Sequence, residues 1–269
     1  FHDAPDIQIG GVLGRSLSAA QAAVDEIGAG QAIDHLSRMP PAAFWFLTVP
    51  DSQIATVAED LSQSIENNYK NMSQPIAIHC SGYHTASVMA PLEKVGFTLA
   101  SAHPMLSFAD PETAASRFAG TLCGVEGAPD VVGPVQDLLT SFGAQTFPIS
   151  SEAKALYHAA AVITNNFTTV LQATALELWD RAGVPPEVAK TLNTTLLRST
   201  VENIQKFGPE QALTGPAARG DRAVVDDQHQ RLAEWDRDAA ILYDVLSRMA
   251  TRLKDTGRST TGQDDPPRQ

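Results

Sequence analysis

The stretch FWFLTVPDSQIATVAEDLSQSI, residues 44–65, decides the fold. Phe44 to Val49 is a near-continuous apolar run, the pattern of a strand buried on both faces. Pro50-Asp51 breaks it, and the residues that follow place Ile54, Val57, Ala58, Leu61 and Ile65 at helical spacing. A strand followed at once by an amphipathic helix is the repeating unit of a parallel α/β sheet.

The same unit recurs on both sides. Ile7 to Leu13 reads as a strand, and Ser16 or Ser18 as the N-cap of the helical run LSAAQAAVDEIG, which stops at Gly28 and Gly30. Gln31 to Ile33 is a weaker segment before a short helix or turn and Pro40-Pro41. Ile76 to Cys80 is a strand closed by Ser81-Gly82; a helix over about 85–95 and a strand over about 98–102 follow, ended by His103-Pro104. Leu122 to Val125 and Gln145 to Ile149 read as the last strands, with a helix over Val131 to Phe142 between them. After Ser150 only helical patterns remain, over about 151–181, 187–206, 221–232 and 237–254. The expected organisation is an α/β domain with a mostly parallel sheet over residues 1–150 and an all-α domain over 151–254 for substrate or dimerisation. A polar, Pro/Gly-rich tail over 255–269 is expected to be disordered.

Composition narrows the functions. The chain has 269 residues and a formal charge of −12, with a pI of about 4.9. An acidic surface repels a phosphate backbone, so nucleic-acid binding is excluded as the main role. Two cysteines, Cys80 and Cys123, without a CxxC pair fit a reducing compartment, and a cytoplasmic location is expected. No apolar run approaches the roughly 20 residues of a membrane span, and no signal peptide is visible. The sequons at Asn71, Asn166 and Asn193 read as chance matches.

In a parallel sheet, ligands bind beyond the carboxyl ends of the strands. The residues there are Gly14-Arg15-Ser16, Val49-Pro50-Asp51, His79-Cys80-Ser81-Gly82 and Ser101-Ala102-His103-Pro104. Polar loops explain part of this pattern, but less well His79, Ser81 and His103 so close to apolar strands. Arg15-Ser16 suits the 2′-phosphate of NADP, because a guanidinium pairs with phosphate through two charge-assisted bonds. The plain alternative is a surface Arg beside a helix cap. On the helix over 151–172, Lys154, His158, Asn165 and Gln172 fall within roughly 40° of one another. Such a polar line on an apolar helix faces water, a partner or a ligand.

Other chemistries are weaker. Gly28-Ala29-Gly30-Gln31-Ala32-Ile33 imitates part of a dinucleotide glycine fingerprint but follows a helix, so it reads as a C-cap. A metal site from His79, His84, His103 and His158 lacks HxxxH spacing and an acidic cluster, and no metal is expected. Ser81 lacks a GxSxG elbow, and Cys80 beside a strand end reads as an inert thiol.

Several stretches together carry a resemblance: LTVPDSQIATVAEDL, HCSGYHTASVMAPLEKVGF, SAHPMLSFADPE, EAKALYHAAAVITNN, ENIQKFGP and ALTGPAARGD. They resemble Rossmann-like bacterial proteins with a C-terminal helical domain of unknown function, often labelled NADP oxidoreductases. The family is similar in architecture to pyrroline-5-carboxylate reductases, ketopantoate reductases, deazaflavin-dependent NADP reductases, prephenate dehydrogenases and 6-phosphogluconate dehydrogenase C-terminal-like proteins. The resemblance implies NADP at Arg15 and Ser16, with Val49, Pro50, Asp51 and Ser81 beside the cofactor. It implies a substrate between the domains, and His103, Lys154 and His158 as catalytic candidates, with Ser81 and Asn165 orienting the substrate. Thr214 and Arg219 match a loop expected to close the cleft. The family's glycine fingerprint would precede Phe1, so the first βα unit is expected to be missing from this chain.

The leading expectation is an NADP-dependent oxidoreductase that moves a hydride between nicotinamide and a C=O or C=N carbon of a small anionic metabolite. His103 or Lys154 would handle the proton. A non-catalytic nucleotide- or metabolite-binding sensor on the same scaffold is the alternative. A homodimer through the helical domain suits either.

Overall fold

The computed structural model describes residues 7–65, 74–106 and 116–262. Two compact units are present, residues 1–165 and 166–269.

In the first unit the strands are β1 (Gly11–Leu13), β2 (Gln31–Ile33), β3 (Phe44–Leu47), β4 (Ile76–His79), β5 (Thr98–Pro104), β6 (Leu122–Gly127) and β7 (Gln145–Pro148). Its helices are α1 (Leu17–Ile27), α2 (Ile54–Ile65), α3 (Pro129–Ser141) and α4 (Lys154–Val162). Strands β3 to β7 form one sheet in sequential order, while β1 and β2 pair separately. All pairings are parallel except β5 with β6, which is antiparallel. The expected strand over residues 7–13 shortens to Gly11–Leu13, because its partner β2 offers only three residues for pairing.

Strand periodicity divides the core in two. Trp45, Leu47, Ala77 and Leu99 pack with Ile54, Ala58, Leu61 and Ile65 of α2 and with Met89 and Leu92 on one face. Phe44, Phe46, Ile76, Ile78, Ala100 and Ala102 pack with Val131, Val135, Leu138 and Leu139 of α3 on the other. This is why Phe44–Leu47 is apolar throughout: each successive side chain enters a different layer. The helix expected near 85–95 is a 3₁₀ segment, Ala86–Val95, broken at Met89 and carrying Pro91. Pro91 lacks the N–H that an α-helical interior requires.

After β7 the strands end. Ser150 caps a short 3₁₀ turn, Ser151–Ala153, that leads into α4. A π turn, Ile163–Phe167, then joins α4 to α5 (Thr168–Arg181). A π turn bonds i to i+5, which rotates later residues off the earlier helical face. The line Lys154, His158, Asn165, Gln172 read from an uninterrupted wheel is therefore broken after His158. Asn165 lies exposed in the π turn.

The second unit holds α5, α6 (Pro186–Ala212), α7 (Pro216–Arg219), α8 (Arg222–Trp235) and α9 (Arg237–Thr256). Helix α6 runs past the expected stop at residue 206 and absorbs Gly208-Pro209 as a kink, with Gly208 at φ 77° and ψ 163°. Buried Asn193 accepts from Trp179 Nε1 and donates to the Gln172 carbonyl, both at 2.9 Å, tying α5 to α6. Its amide is thus committed inside the unit, which makes that sequon a packing residue. Asn71 lies outside the described residues, and Asn166 is exposed in the π turn. Helix α9 covers the first two residues of the expected tail and ends at Thr256 with Gly257 in the left-handed conformation. Residues 263–269 lie outside the described residues.

Candidate active site

Register places three polar residues side by side at the carboxyl end of the parallel strands. His79 of β4 lies opposite Ser101 of β5, and Ser101 opposite Glu126 of β6. Neighbours in register share a face, so this row continues the Leu47 face into polar chemistry. All three are buried.

Helix α4 lowers a second row onto the first. Lys154, Tyr157 and His158 sit at i, i+3 and i+4 and share one helix face. Lys154 is only 1% exposed. Its Nζ donates to the Ser81 carbonyl at 2.9 Å and to Ser101 Oγ at 2.5 Å. Ser101 Oγ passes its own hydrogen to Glu126 Oε2 at 3.0 Å. The same oxygen receives the Ala86 N–H at 2.8 Å, and Glu126 Oε1 receives Ser151 Oγ at 2.7 Å. A chain from ammonium through hydroxyl to carboxylate therefore fixes Lys154, and Ser151 at the helix entrance is held by the same carboxylate. Burial pushes the Lys154 ammonium below its ordinary range, opposed by Glu126 and then Asp51.

His79 is committed on both ring nitrogens. Nδ1 accepts from Ser81 N at 3.1 Å and Nε2 bonds the Thr85 carbonyl at 3.1 Å. The pattern requires the neutral Nε2–H tautomer. Burial lowers its pKa to about 4, against a smaller opposing pull from the Thr85 carbonyl. Ser81 is equally occupied: its Oγ donates to Asp51 Oδ2 at 2.7 Å and accepts from Tyr83 N and His84 N. These groups build the turn rather than offering free functionality.

The open chemistry belongs to His103, Tyr157 and His158. His103 lies opposite Gly124 in the β5–β6 register. A side chain at Gly124 would collide with Ile149 and the Tyr157 hydroxyl. Its absence lets Tyr157 Oη reach His103 Nδ1 at 2.9 Å. Burial raises Tyr157 to about 12, so the phenol keeps its proton. His103 falls to about 4, first through burial and then through His158 and Lys154. The His103 and His158 rings meet edge to face at 5.8 Å between centroids. His158 Nδ1 is buried and has no hydrogen-bond partner.

Gly82 sits under both imidazoles. A Cβ there would lie 2.5 Å from His158 Nδ1 and 2.9 Å from His103 Nε2. Gly82→Ala is therefore expected to spread the rings and destabilise the fold by about 1–3 kcal/mol. Chemical denaturation reads the loss, and imidazole ¹⁵N shifts read the movement. Unchanged ring shifts in a folded Gly82→Ala protein would show that the rings do not depend on this contact.

The remaining candidates lie at more open positions. Arg15 is exposed and makes no ion pair with the described residues. Ser16 caps α1, its Oγ accepting from Ala19 N at 3.2 Å and bonding Ser18 Oγ at 2.9 Å. Val49 packs against the α2-side core, and exposed Pro50 precedes the 3₁₀ turn Asp51–Gln53. In the second unit Thr214 is exposed, and Arg219 pairs with Asp221 at 3.1 Å. Exposed pairs of this kind contribute little stability. Cys80 and Cys123 are raised by burial to about 11 and about 12, the direction of inert thiols. Among the described residues, no three His, Cys, Asp or Glu side chains gather to hold a metal ion. No helix among them is long and apolar enough to cross a membrane.

Glu126 and Tyr157 join the candidate site without standing among the expectations from the sequence. Glu126 was detectable as a lone charge in the strand LCGVEG, and Tyr157 as the residue one turn beyond Lys154.

Comparison places this geometry among known folds. Protein TM1727 of Thermotoga maritima is 29% identical over 94% of each chain, with a TM-score of 0.70. BF3122 of Bacteroides fragilis, described as a candidate NADP oxidoreductase, is 22% identical, with 91% of this chain and 88% of that one covered and a TM-score of 0.70. An imine reductase of Myxococcus stipitatus in complex with NADP+ is 12% identical, with 93% and 88% covered and a TM-score of 0.59. No curated protein matches the chain. The last two structures, at that identity, show the fold alone. The chain is a Rossmann-like protein with a C-terminal helical region, and its residues 121–250 match the family described as Domain of unknown function (DUF2520).

Proposed function

We propose that the protein is an NADP-dependent oxidoreductase acting on a small anionic metabolite at the carboxyl ends of the parallel strands β3, β4 and β5. The observation that carries this reading is the approach of His103 and His158 to Gly82, with Tyr157 bonded to His103 and buried Lys154 bonded to the Ser81 carbonyl, at the edge where parallel sheets bind ligands. The solved structures of this fold named above, an NADP+-bound imine reductase among them, support the cofactor class.

The residues present fit one end of that cofactor. Arg15 is an exposed guanidinium with no ion-pair partner among the described residues, free to meet a 2′-phosphate beside Ser16. Bound NADP would supply or accept the hydride exchanged with a C=O or C=N carbon. His103 is the proton donor or acceptor, because its Nε2 is not engaged by Tyr157. Lys154 acts as a positioning residue: two of its three hydrogens are directed at the Ser81 carbonyl and Ser101 Oγ. Ser81 positions Asp51. Asn165 remains a substrate-side assignment.

Fluorescence titration of the full-length protein tests the nucleotide step. NADPH is expected to bind tighter than NADH, and Arg15→Ala to reduce that preference by about tenfold, the loss of one charge-assisted phosphate contact. Absence of binding by either nucleotide would remove the oxidoreductase reading.

The helical unit further points to a homodimer. Among its described residues only Ala189, Asn193, Leu232 and Ala240 are buried. Along α6, Val188, Leu192, Leu196, Val201, Ile204 and Phe207 are all exposed, Leu196 at 56%. So much apolar surface on one helix is explained by a second copy covering it. Light scattering is expected to give twice the chain mass; a monomer at high concentration argues against it.

A further inference from the structure

We propose that the C-terminal part of α9 and the segment folded back on it form a binding site for the phosphoryl group of a small metabolite, held by Arg248 and Arg252. The site lies wholly in the second unit and does not depend on the hydride-transfer reading.

The space is a cavity of about 320 Å³. Pockets that hold small ligands begin at about 300 Å³. One wall is the α9 face that carries Val245, Arg248, Met249 and Arg252; the other is Ser259, Thr260 and Thr261. Arg248 and Arg252, at i and i+4, share that helix face. The chain turns back at Gly257, which adopts the left-handed φ of 72°. Arg252 Nη1 then donates to the Ser259 carbonyl at 2.9 Å and pins the returning segment against the helix.

The charge of this space is one-sided. Among the described residues no Asp or Glu lines it, in a chain that has 31 of them. Arg252 is partly buried, whereas every other described arginine of the unit is exposed. It nonetheless makes no ion pair with a described residue. Drawing a cation out of water is ordinarily offset by a carboxylate. Here the Ser259 carbonyl takes one guanidinium hydrogen and the rest of the fork is left for an anion. Arg248 bonds Asp244 at 3.2 Å, but both side chains are more than half exposed, and such a pair contributes little. Its guanidinium can turn toward an incoming anion at small cost. The hydroxyls of Ser259, Thr260 and Thr261 make no hydrogen bond to a described residue. A carboxylate brings two oxygens and one charge, whereas a phosphoryl group brings three oxygens and a charge of about −1.5 to −2. Two guanidinium forks and three hydroxyls match the phosphoryl group better. Val245 and Met249 give the cavity an apolar side, which suits a phosphate ester rather than the free ion.

The test uses the full chain, ¹⁵N-labelled, with inorganic phosphate and phenyl phosphate as probes and chloride at matched ionic strength as the control. Backbone amide shifts of residues 259–261 report this cavity, whatever phosphate does near Arg15. Phosphate is expected to move them saturably and chloride to leave them in place. Phenyl phosphate is expected to bind several-fold tighter, through Val245 and Met249. Arg252→Gln is expected to weaken phosphate binding about tenfold, the loss of one charge-assisted contact. Because Arg252 also holds Ser259, Arg248→Gln supplies a second arm. Arg248 makes no bond to the returning segment, so its loss is expected to weaken phosphate several-fold while the ligand-free shifts of residues 259–261 stay as they were. Equal responses to phosphate and chloride, or phosphate affinity unchanged in both variants, overturn the site. Phenyl phosphate that binds no tighter than the free ion overturns the metabolite as its occupant.

Discussion

Glu126→Ala is expected to destabilise the protein by about 3–5 kcal/mol, the range found when one member of a buried charged pair is removed. Three donors would lose their acceptor at once: Ala86 N, Ser101 Oγ and Ser151 Oγ. Lys154, 1% exposed, would keep its ammonium with the anion at the far end of its hydrogen-bond chain gone. Glu126→Gln separates these effects. The amide oxygen still accepts from Ala86 and the amide group fills the same volume, so the geometric loss is about 1–2 kcal/mol. The charge is lost in both variants, and the Lys154 amine is expected to titrate still lower than in the native protein, since Glu126 is the largest influence opposing burial there. Urea unfolding gives the stability and ¹⁵N shifts of the amine give the titration. An Ala variant as stable as a typical surface substitution would show that the network contributes geometry without stability.

Glu126 also shows where the sequence stopped being informative. The α/β half was legible because the local pattern agrees with the packing: Phe44–Leu47 fills two layers, and the apolar stripe of α2 lands on the Trp45 face. His103, Lys154 and His158 were legible because a polar residue at a strand end or on an Ala-rich helix stands out from its neighbours. Glu126 acquires meaning only through register, which sets it beside Ser101 and His79 across three strands. Register between β5 and β6 is a long-range property, and the antiparallel pairing there was not foreseen. The π turn at Ile163–Phe167 was equally invisible. ITNNF has no residue that forbids an α-helix, and a wheel drawn through it placed Asn165 on the Lys154 face. Ser81 stood out as polar beside an apolar strand, but that its hydroxyl bonds Asp51 and the following turn depends on long-range contact that no local pattern shows.

Stability is expected to fall steeply as the pH drops from about 6.5 to about 4, and to be flat with respect to histidine titration above that window. His79 and His103 both titrate near 4 in the folded protein, chiefly because burial disfavours the charged ring. In the unfolded chain each returns to about 6.5. Above 6.5 both states hold neutral rings and bind the same number of protons. Below 6.5 the unfolded chain takes up protons that the folded one refuses, so the equilibrium shifts toward unfolding until the folded pKa is passed. At about 1.4 kcal/mol per pH unit, the upper bound is about 3 kcal/mol for each ring. His79, fully buried and bonded on both nitrogens, is expected to come near that bound; His103, only partly enclosed, falls short of it because water screens its charge. The measurement is urea unfolding at closely spaced pH values, native protein against His103→Gln. The variant should lose the His103 share of the slope and keep that of His79. Parallel curves for native protein and His103→Gln across this window would mean that His103 is as easily protonated in the fold as outside it, and that burial does not govern its chemistry.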